Sequence, residues 1–359
     1  MKRTIAVQSL PEMPTAPLRV VLVGLGPIGK NVADECARRG PGRVAVVGAI
    51  DTNPALVGKS LGDLWGPGRP DGAVRVVAAP ADLDATADVA LLTTTSRLDS
   101  LEPQLEPLLA RGLSVVSSSE ELFYTDLGGR ARADRIDALA RSYGVCVTGA
   151  GVNPGFVMDV LPTVLAVASG PPHSVRCERY VDLARRRLPL QRKAGLGMDP
   201  AEFRGRADEQ RIGHVGLVES AAYLAGRLGL PIVAIEESLE PVVADAPFDW
   251  DGRSYPAGRV VGFEHEARGL VDRSGSAPLE FHLRMSYHQY DPRDRVVLRG
   301  TPDVDLTIRP CIAGDPATAA VLVHLGARTP GAPPGLRLAH ELGLLPQGPR
   351  YRVERVADE

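Results

Sequence analysis

Cysteine is scarce: four in 359 residues, Cys36, Cys146, Cys177 and Cys311, with no two at a metal-binding or redox spacing. That scatter excludes a disulfide framework and a zinc cluster, and it predicts small apolar residues in a reducing compartment, the cytoplasm. Charge of one sign is also lacking. The formal net charge is −3 with 24% charged residues, which gives neither nucleic acid nor an anionic membrane a reason to bind. The basic run Arg185-Arg186-Arg187 with Arg192 and Lys193 has no interleaved aromatics, so it does not have the character of a nucleic-acid surface. No apolar run approaches membrane-spanning length, residues 5–7 are too few for the apolar core of a signal peptide, and there is no internal repeat. Pro11, Pro14 and Pro17 interrupt the start of the chain, so residues 1–17 are predicted to be a flexible leader.

Glycine and proline, by contrast, are plentiful at 38 and 31 residues, and they punctuate the chain into short elements. Hydrophobic content of 44% is ordinary for a globular protein, and the length predicts about two domains. The most informative punctuation follows Arg19-Val20-Val21-Leu22-Val23. This β-branched and aliphatic run stops at Gly24-Leu25-Gly26-Pro27-Ile28-Gly29, after which Val32, Ala33, Cys36 and Ala37 take helical spacing. Strand, glycine turn and helix in that order form the dinucleotide-binding pattern. Gly24 makes the tight turn, Gly26 lets a pyrophosphate approach the backbone, and Gly29 lets the helix pack on the strand. The helix start at Pro27 and Ile28 offers the free N–H groups that follow the proline, and a partial positive charge, to phosphates. The next strand, Val44–Ile50, ends at Asp51, where a carboxylate accepts hydrogen bonds from an adenosine ribose. NAD is therefore the first candidate cofactor, and the small Thr52 and Asn53 with Lys59 close by keep NADP open.

Further strands are predicted at 74–78, 89–93, 114–118 and 145–148, with helices at 101–110 and 130–143 ended by Gly112 and Gly144. Such alternation implies a parallel sheet with right-handed crossovers, whose ligands sit beyond the carboxyl ends of the strands. Four polar clusters fall there: the glycine turn, Asp51, Thr93 to Ser96 (Thr94 and Ser96 as cofactor contacts), and Ser117 to Glu121. Past Thr148 the pattern changes. A loop rich in glycine and proline at 149–156 leads into a helix at 157–168. Strands follow at 175–181, 232–243, 260–271, 279–287 and 304–308, with helices at 215–228 and 316–325, the last behind Asp315 as its N-cap. Phe281, Leu283, Met285 and Tyr287 alternate with polar neighbours, which marks a sheet covered on one side. The same alternation turns His265 away from Glu264 and Glu266, so no metal site is implied there. Residues 329–335 are predicted to be a surface connection. The fold class is thus α/β: an N-terminal Rossmann domain with a parallel sheet at 18–150, an α+β domain with an open mixed sheet at 151–312, and a C-terminal helix and tail at 313–359 returning toward the first domain.

Several stretches carry a resemblance. Gly-Leu-Gly-Pro-Ile-Gly (24–29), Ile50-Asp51-Thr52-Asn53-Pro54 and Val57-Gly58-Lys59-Ser60-Leu61-Gly62 look like the opening of the dihydrodipicolinate-reductase-like superfamily. Narrower motifs follow in order: Ser118-Ser119-Glu120-Glu121-Leu122, Gly151-Val152-Asn153-Pro154-Gly155-Phe156, Arg186-Arg187-Leu188-Pro189-Leu190-Gln191, and Gly213-His214-Val215-Gly216-Leu217-Val218-Glu219-Ser220. With Glu240-Pro241-Val242-Val243 and Pro334-Gly335-Leu336, they resemble the 2,4-diaminopentanoate dehydrogenases and the related native amine dehydrogenases. The resemblance runs from residue 18 along nearly the whole chain. It implies a Rossmann domain, a substrate domain on an open sheet, a homodimer, and reversible reductive amination of a carbonyl compound with ammonia and NAD(P)H. The His-His-x-x-Lys stretch and Ala-Pro-Ser-Gly-Thr loop of true dihydrodipicolinate reductases are absent, which argues against that activity. Ser118-Ser119 stands where relatives usually have Thr-Cys, so the strand end is expected intact and the local pocket altered.

Making an amine from a ketone needs neutral ammonia at attack, loss of water from a carbinolamine, and hydride delivery to an iminium. A carboxylate in the cleft serves both as proton shuttle and as stabiliser of that cation. Glu120, directly after a strand end on the nicotinamide side, takes this role by position and by resemblance. The other reading of Glu120 is a helix N-terminal acid satisfying backbone N–H groups, which Glu121 fits better. The resemblance turns Val152 and Asn153 toward nicotinamide and substrate, although Asn153 equally suits a turn residue holding its own backbone. It puts His214 at the pocket wall and the Arg186 segment near the site mouth or a dimer contact. Val152, Leu161, Tyr180, His214 and Val323 are the candidates to set pocket size. Two alternatives stand beside small ketones and aldehydes. One is a diamino acid such as 2,4-diaminopentanoate, for whose carboxylate the sequence offers no clear partner. The other is an NAD(P)-sensing protein without catalysis, which the glutamate pair and the hinge loop disfavour.

Overall fold

The structure, a computed structural model, describes residues 5–9, 16–128, 130–209, 211–272, 276–345 and 351–355, the first and last of these as backbone alone. The expectation of a flexible leader at 1–17 is corrected at Ile5–Ser9 (β1), which pairs antiparallel with a strand at the far end of the chain. The alternating Ile5 and Val7 suit a strand, and the prolines come after it. The rest of that leader up to residue 15 lies outside the described residues.

Leu18–Val23 (β2) is buried at every position except Arg19, as a strand covered on both faces of a parallel sheet should be. Pro27–Arg39 (α1), Val44–Ile50 (β3), Leu61–Trp65 (α2), Val76–Val77 (β4) and Val89–Leu92 (β5) follow. Next come Leu98–Leu109 (α3), Ser114–Ser117 (β6), Glu120–Phe123 (α4), Arg130–Ser142 (α5) and Cys146–Gly149 (β7). The strands form one parallel sheet in the order β4-β3-β2-β5-β6-β7, extended at the β7 edge by a two-residue strand from near the C-terminus. Strand order reverses between β2 and β5, which opens a crevice at their carboxyl ends. Leu22, Val32, Leu322 and Val323 belong to the core on one face, Leu92, Leu105 and Ile136 to the core on the other.

The second half supplies Val160–Ser169 (α6), Ser174–Asp182 (β8), Leu188–Lys193 (α7), Pro200–Asp208 (α8) and Leu217–Leu228 (α9). Then come Ala234–Val243 (β9), Phe248–Trp250 (β10), Arg253–Tyr255 (β11), Val260–Leu270 (β12), Leu279–Ser286 (β13), Arg293–Arg299 (β14) and Val304–Ile308 (β15). Gly314–Gly326 (α10) packs beside α1, Gly335–Leu336 (β16) is the added edge strand of the first sheet, and Tyr351–Arg355 (β17) is the partner of β1. The second sheet is mixed, ordered β15-β14-β8-β13-β12-β9, with only the β8–β13 pair parallel. Leu279, Phe281, Leu283 and Met285 turn inward toward α6 and α9, as their alternation predicts, while Glu280, His282 and Arg284 face outward. His265 turns inward to Glu237 at 2.7 Å, away from Glu264 and Glu266.

Several local expectations are corrected. The third strand shrinks to two residues, and β14, not foreseen, sits between β8 and β15. The 329–335 connection ends in β16 rather than staying wholly on the surface. Asp315 is not the N-cap of the last helix; Ala313 holds that position, and the Asp315 carboxylate pairs with Arg187 at 2.8 Å.

The loop between the sheets is held by one buried carboxylate. Asp159 accepts hydrogen bonds from Gly155 N–H at 2.9 Å, Val160 N–H at 2.6 Å and the Ser220 hydroxyl at 2.7 Å. Burial raises its carboxyl to about 6, opposed by those donors. A carboxyl raised on folding binds more protons folded than unfolded, so its contribution to stability falls as pH rises from the ordinary 3.8 toward 6 and is level above. Removing the carboxylate strands three buried donors, at roughly 1–3 kcal/mol each before relaxation. Asp159→Ala is expected to lose about 2–4 kcal/mol in urea unfolding, and the gap to wild type should be widest near pH 4 and narrow toward pH 6.

Candidate active site

A cavity of about 390 Å³ lies between the carboxyl ends of the first sheet and the inner face of the second. The glycine turn sits at its cofactor end. Gly24 has φ +86°, and a Cβ on Gly29 would come within 2.0 Å of the Gly24 carbonyl oxygen, so α1 packs on the turn only without a side chain there. Gly26 differs: a Cβ on it would meet no protein atom within 4 Å. The α1 N-terminus has no side-chain cap and no acid in its first turn, which leaves its N–H groups for a ligand. The Asp51 carboxylate accepts from Leu25 N–H at 2.7 Å and Asn53 N–H at 2.8 Å, so it braces the glycine turn from the next strand.

Two neighbouring strand ends form the floor. Thr93 Oγ1 donates to the Gly24 carbonyl at 2.9 Å, and Thr94 Oγ1 to Gln104 Oε1 at 2.8 Å. Ser119 Oγ donates to the Ser96 carbonyl at 2.9 Å, which ties the end of β6 to the loop after β5. Glu120 and Glu121 then diverge. Glu121 accepts from Leu98 N–H at 2.7 Å and pairs with Arg97 at 2.7 Å, so it caps α3 and is structurally committed. Glu120 lines the cavity. Burial raises its pKa above the ordinary glutamate value, with Lys193 and a Ser96 hydrogen bond pulling the other way. A carboxyl shifted in this sense keeps its proton to higher pH than a solvated glutamate, which suits a group that both takes and returns a proton.

The hinge loop supplies the opposite wall. Gly155, at φ +125°, packs its Cα against Gly151 so closely that a Cβ would lie 2.4 Å from the Gly151 nitrogen. Asn153 donates Nδ2–H to His214 Nε2 at 3.2 Å, and its Oδ1 is buried without a partner. Burial, reinforced by His265, Lys193 and Arg179, holds the His214 pKa well below the ordinary value, so the ring is neutral and accepts that hydrogen bond. Phe263, Leu283 and Met285 close the cavity with an apolar wall from β12 and β13.

Ile28, Thr94, Ser96, Glu120, Val152, Asn153 and His214 all line this cavity, whereas Gly24, Gly26, Pro27, Gly29 and Asp51 shape the adjoining turn. Three pocket-size candidates are corrected. Tyr180 follows Arg179 and precedes Val181, both cavity-lining, so strand alternation sends it to the far side, under the Arg293 guanidinium at 4.1 Å. Val323 is fully buried in the core between α10 and the first sheet, and Leu161, half-buried on α6, is outside the lining. The sequence reading missed Arg179, Asp315 and Thr318. Arg179 pairs with Asp294 at 2.6 Å, both buried, and Thr318 Oγ1 accepts from Val152 N–H at 3.3 Å. Strand parity around Val181 is the one signal that could have found Arg179.

Fold and cleft together define a two-domain Rossmann-type protein with an acid at the cleft floor. Residues 156–348 match the family model for the 2,4-diaminopentanoate dehydrogenase C-terminal domain, and the chain belongs to that family. The chain is 28% identical over 331 residues to the 2,4-diaminopentanoate dehydrogenase of Acetoanaerobium sticklandii, covering 90% of this chain and 93% of that one. Its fold matches an amine dehydrogenase from Mycobacterium smegmatis at a TM-score of 0.80 and 24% identity, over 93% of this chain and 98% of the other. An NAD-binding oxidoreductase from Klebsiella pneumoniae shares the fold more distantly, with a TM-score of 0.53 and 13% identity over 91% and 93%. The chain is an oxidoreductase of this dehydrogenase family. The division of labour between the two glutamates has a stability signature. Glu121→Ala removes an N-terminal acceptor of α3 and an ion pair and is expected to cost about 1–2 kcal/mol in denaturant unfolding.

Proposed function

We propose that this protein is a cytoplasmic, homodimeric amine dehydrogenase that binds NAD(H) or NADP(H) and interconverts small carbonyl compounds and amines. The observation that carries the reading is Glu120: a cavity-lining carboxylate of raised pKa, held beside Ser96 at the ends of two adjacent central strands. The residues present suit a dinucleotide. Gly26 leaves room where a Cβ would intrude on a pyrophosphate, the α1 N–H groups are uncapped, and the orphaned Asn153 Oδ1 can accept from a carboxamide N–H. Asp51 keeps spare lone pairs for ribose hydroxyls beyond its two backbone bonds. The nicotinamide supplies or accepts the hydride. In the same reading residues 18–150 hold the cofactor, 151–312 shape the substrate pocket and 313–359 return to the first unit. The outward face of the second sheet, with Glu264, Glu266, His282 and Arg284 of both signs, suits a self-complementary dimer contact.

The residues act on protons and charge. Ketone, ammonium and reduced cofactor give amine, oxidised cofactor and water. The Glu120 carboxylate removes a proton from ammonium so that neutral nitrogen attacks the carbonyl carbon. As a carboxylic acid it then protonates the carbinolamine hydroxyl, which leaves as water, and as a carboxylate again it stabilises the iminium cation. Neutral His214 and the apolar wall around Phe263 add no cation at that point.

Glu120→Gln should lower the amination kcat by about 10²–10⁴-fold while the dissociation constant for NADH, read by fluorescence titration, stays near wild type. The acid limb of the wild-type kcat/KM profile should lie above pH 4.5, because the Glu120 carboxyl is raised, and should vanish in the variant. Alcohol formation without ammonia, or full amination by Glu120→Gln, would overturn the assignment. Tight cofactor binding with no turnover on any carbonyl would instead indicate a sensor. For the cofactor end, Gly26→Val should keep the wild-type melting temperature, since its Cβ meets no protein atom, yet weaken NAD(H) and NADP(H) binding more than about tenfold. Asp51→Ala should shift preference away from NAD, and an unchanged NAD/NADP ratio would remove Asp51 as the ribose reader.

A further inference from the structure

The Asn153 amide has a donor end and an acceptor end, and its surroundings fix which of them is left for a ligand. Two loops press together here. A Cβ on Gly216 would stand 2.5 Å from the Pro154 ring, and one on Gly213 would lie 2.5 Å from Leu239 Cδ2. This packing seats His214 beside Asn153, both lining the cavity, with Asn153 Nδ2 at 3.2 Å from His214 Nε2. An amide nitrogen only donates, so Nε2 is the bare nitrogen of the ring and Nδ1 carries the proton. Behind His214 stands the buried His265, edge-on at 6.5 Å between ring centroids, with its own Nε2 on Glu237 at 2.7 Å. Burial, reinforced by His265, Lys193 and Arg179, disfavours a second proton on His214. The amide is therefore held one way round, because the reversed form would set Oδ1 against the Nε2 lone pair. Oδ1 is left buried and without a donor among the described residues, a cost that a ligand N–H removes.

We propose that His214 is a positioning residue for the cofactor: by accepting from Asn153 Nδ2 it commits Oδ1 to the nicotinamide carboxamide and selects the N–H edge of that group over its carbonyl edge. The inference rests on the reading of this cleft as a dinucleotide site and is independent of the substrate assigned to it. An asparagine alone would serve either edge, since a half turn of its amide exchanges donor and acceptor. With the half turn forbidden, the site is an acceptor only. A carboxamide held by its N–H edge also stops the ring from turning over, which restricts hydride transfer to one face.

The probe is a dinucleotide without that N–H. Calorimetric titration compares NADH with its reduced 3-acetylpyridine analogue, which keeps the carbonyl and replaces the amide nitrogen by a methyl group. NADPH and its analogue take their place if they bind more tightly. Wild type should bind NADH about tenfold more tightly than the analogue, the scale of one hydrogen bond gained against one acceptor left unmet. His214→Phe should close most of that gap by tightening the analogue, because a freed amide turns Nδ2–H to the acetyl oxygen, whereas a loss of packing alone would weaken both ligands. His214→Gln, whose Oε1 can accept, should reopen part of the gap. In Asn153→Ala the gap should be absent, and His214→Phe added to it should change nothing further. A long-range proton–nitrogen NMR correlation on the wild type decides the tautomer without any variant, and His214 should show Nδ1 protonated and Nε2 bare. Equal binding of NADH and its analogue by wild type overturns the proposal, as does a gap that survives His214→Phe or a proton on His214 Nε2. If no dinucleotide binds, the cofactor reading fails and the proposal falls with it. The expected pattern of dissociation constants sustains the proposal even where no carbonyl is converted to an amine.

Discussion

Asp159, removed from solvent, accepts from the Gly155 N–H, the Val160 N–H and the Ser220 hydroxyl, and so ties the loop between the two sheets to α6 and α9. The positions of the cleft walls depend on that junction. With the loop drawn in, Pro154 lies against Gly216, whose missing Cβ would stand 2.5 Å from the proline ring and 3.0 Å from Glu120 Cβ. A side chain at Gly216 would push the first turn of α9 off the cleft floor. The same loop presents Asn153 to His214 and anchors Val152 to Thr318 of α10. One buried acid thus aligns groups from both halves of the chain, at the desolvation cost that shows in its raised pKa.

Two adjacent glutamates show how position alone leaves chemistry open. Glu121 is consumed by Arg97 and the start of α3, while Glu120 has a serine hydroxyl and the charge of Lys193 across the cavity it faces. Backbone direction at the end of β6 separates them: consecutive residues of a short helix point about 100° apart, so one turns into protein and the other into the cleft. A similar contrast holds among the arginines of the rim. Arg179 and Arg187 each have a carboxylate more than a hundred residues away in sequence, and Arg186, next to one of them, has none among the described residues.

The second sheet is asymmetric for a related reason. Its inner face collects Phe263, Phe281 and Leu283 against α9, whereas its outer face carries charged ladders such as Glu264–Arg284 and Arg295–Asp305. Surface ladders of this kind contribute little individually, about 0–1 kcal/mol each. They keep the face soluble while leaving it free to meet another charged surface.

The first sheet was legible in the sequence. A buried parallel strand is apolar throughout, a glycine turn has a fixed spacing, and amphipathic helices repeat every 3.6 residues, so β2, the turn, α1 and β3 stand out from local pattern alone. The carboxylate after β6 was likewise placed by its distance from a strand end. What local pattern could not decide was anything that depends on a remote partner. The strand β14 was hidden because Arg293, Asp294 and Arg295 look like a loop; Asp294 is buried against Arg179, 115 residues earlier, and the Ile312 N–H, both remote in sequence. Tyr180 was assigned to the pocket, and a one-residue difference in strand parity put it on the other face. Which glutamate is free and which arginine is unpaired are likewise facts of tertiary structure, because a charge is satisfied or left open by groups that meet only when the chain has folded.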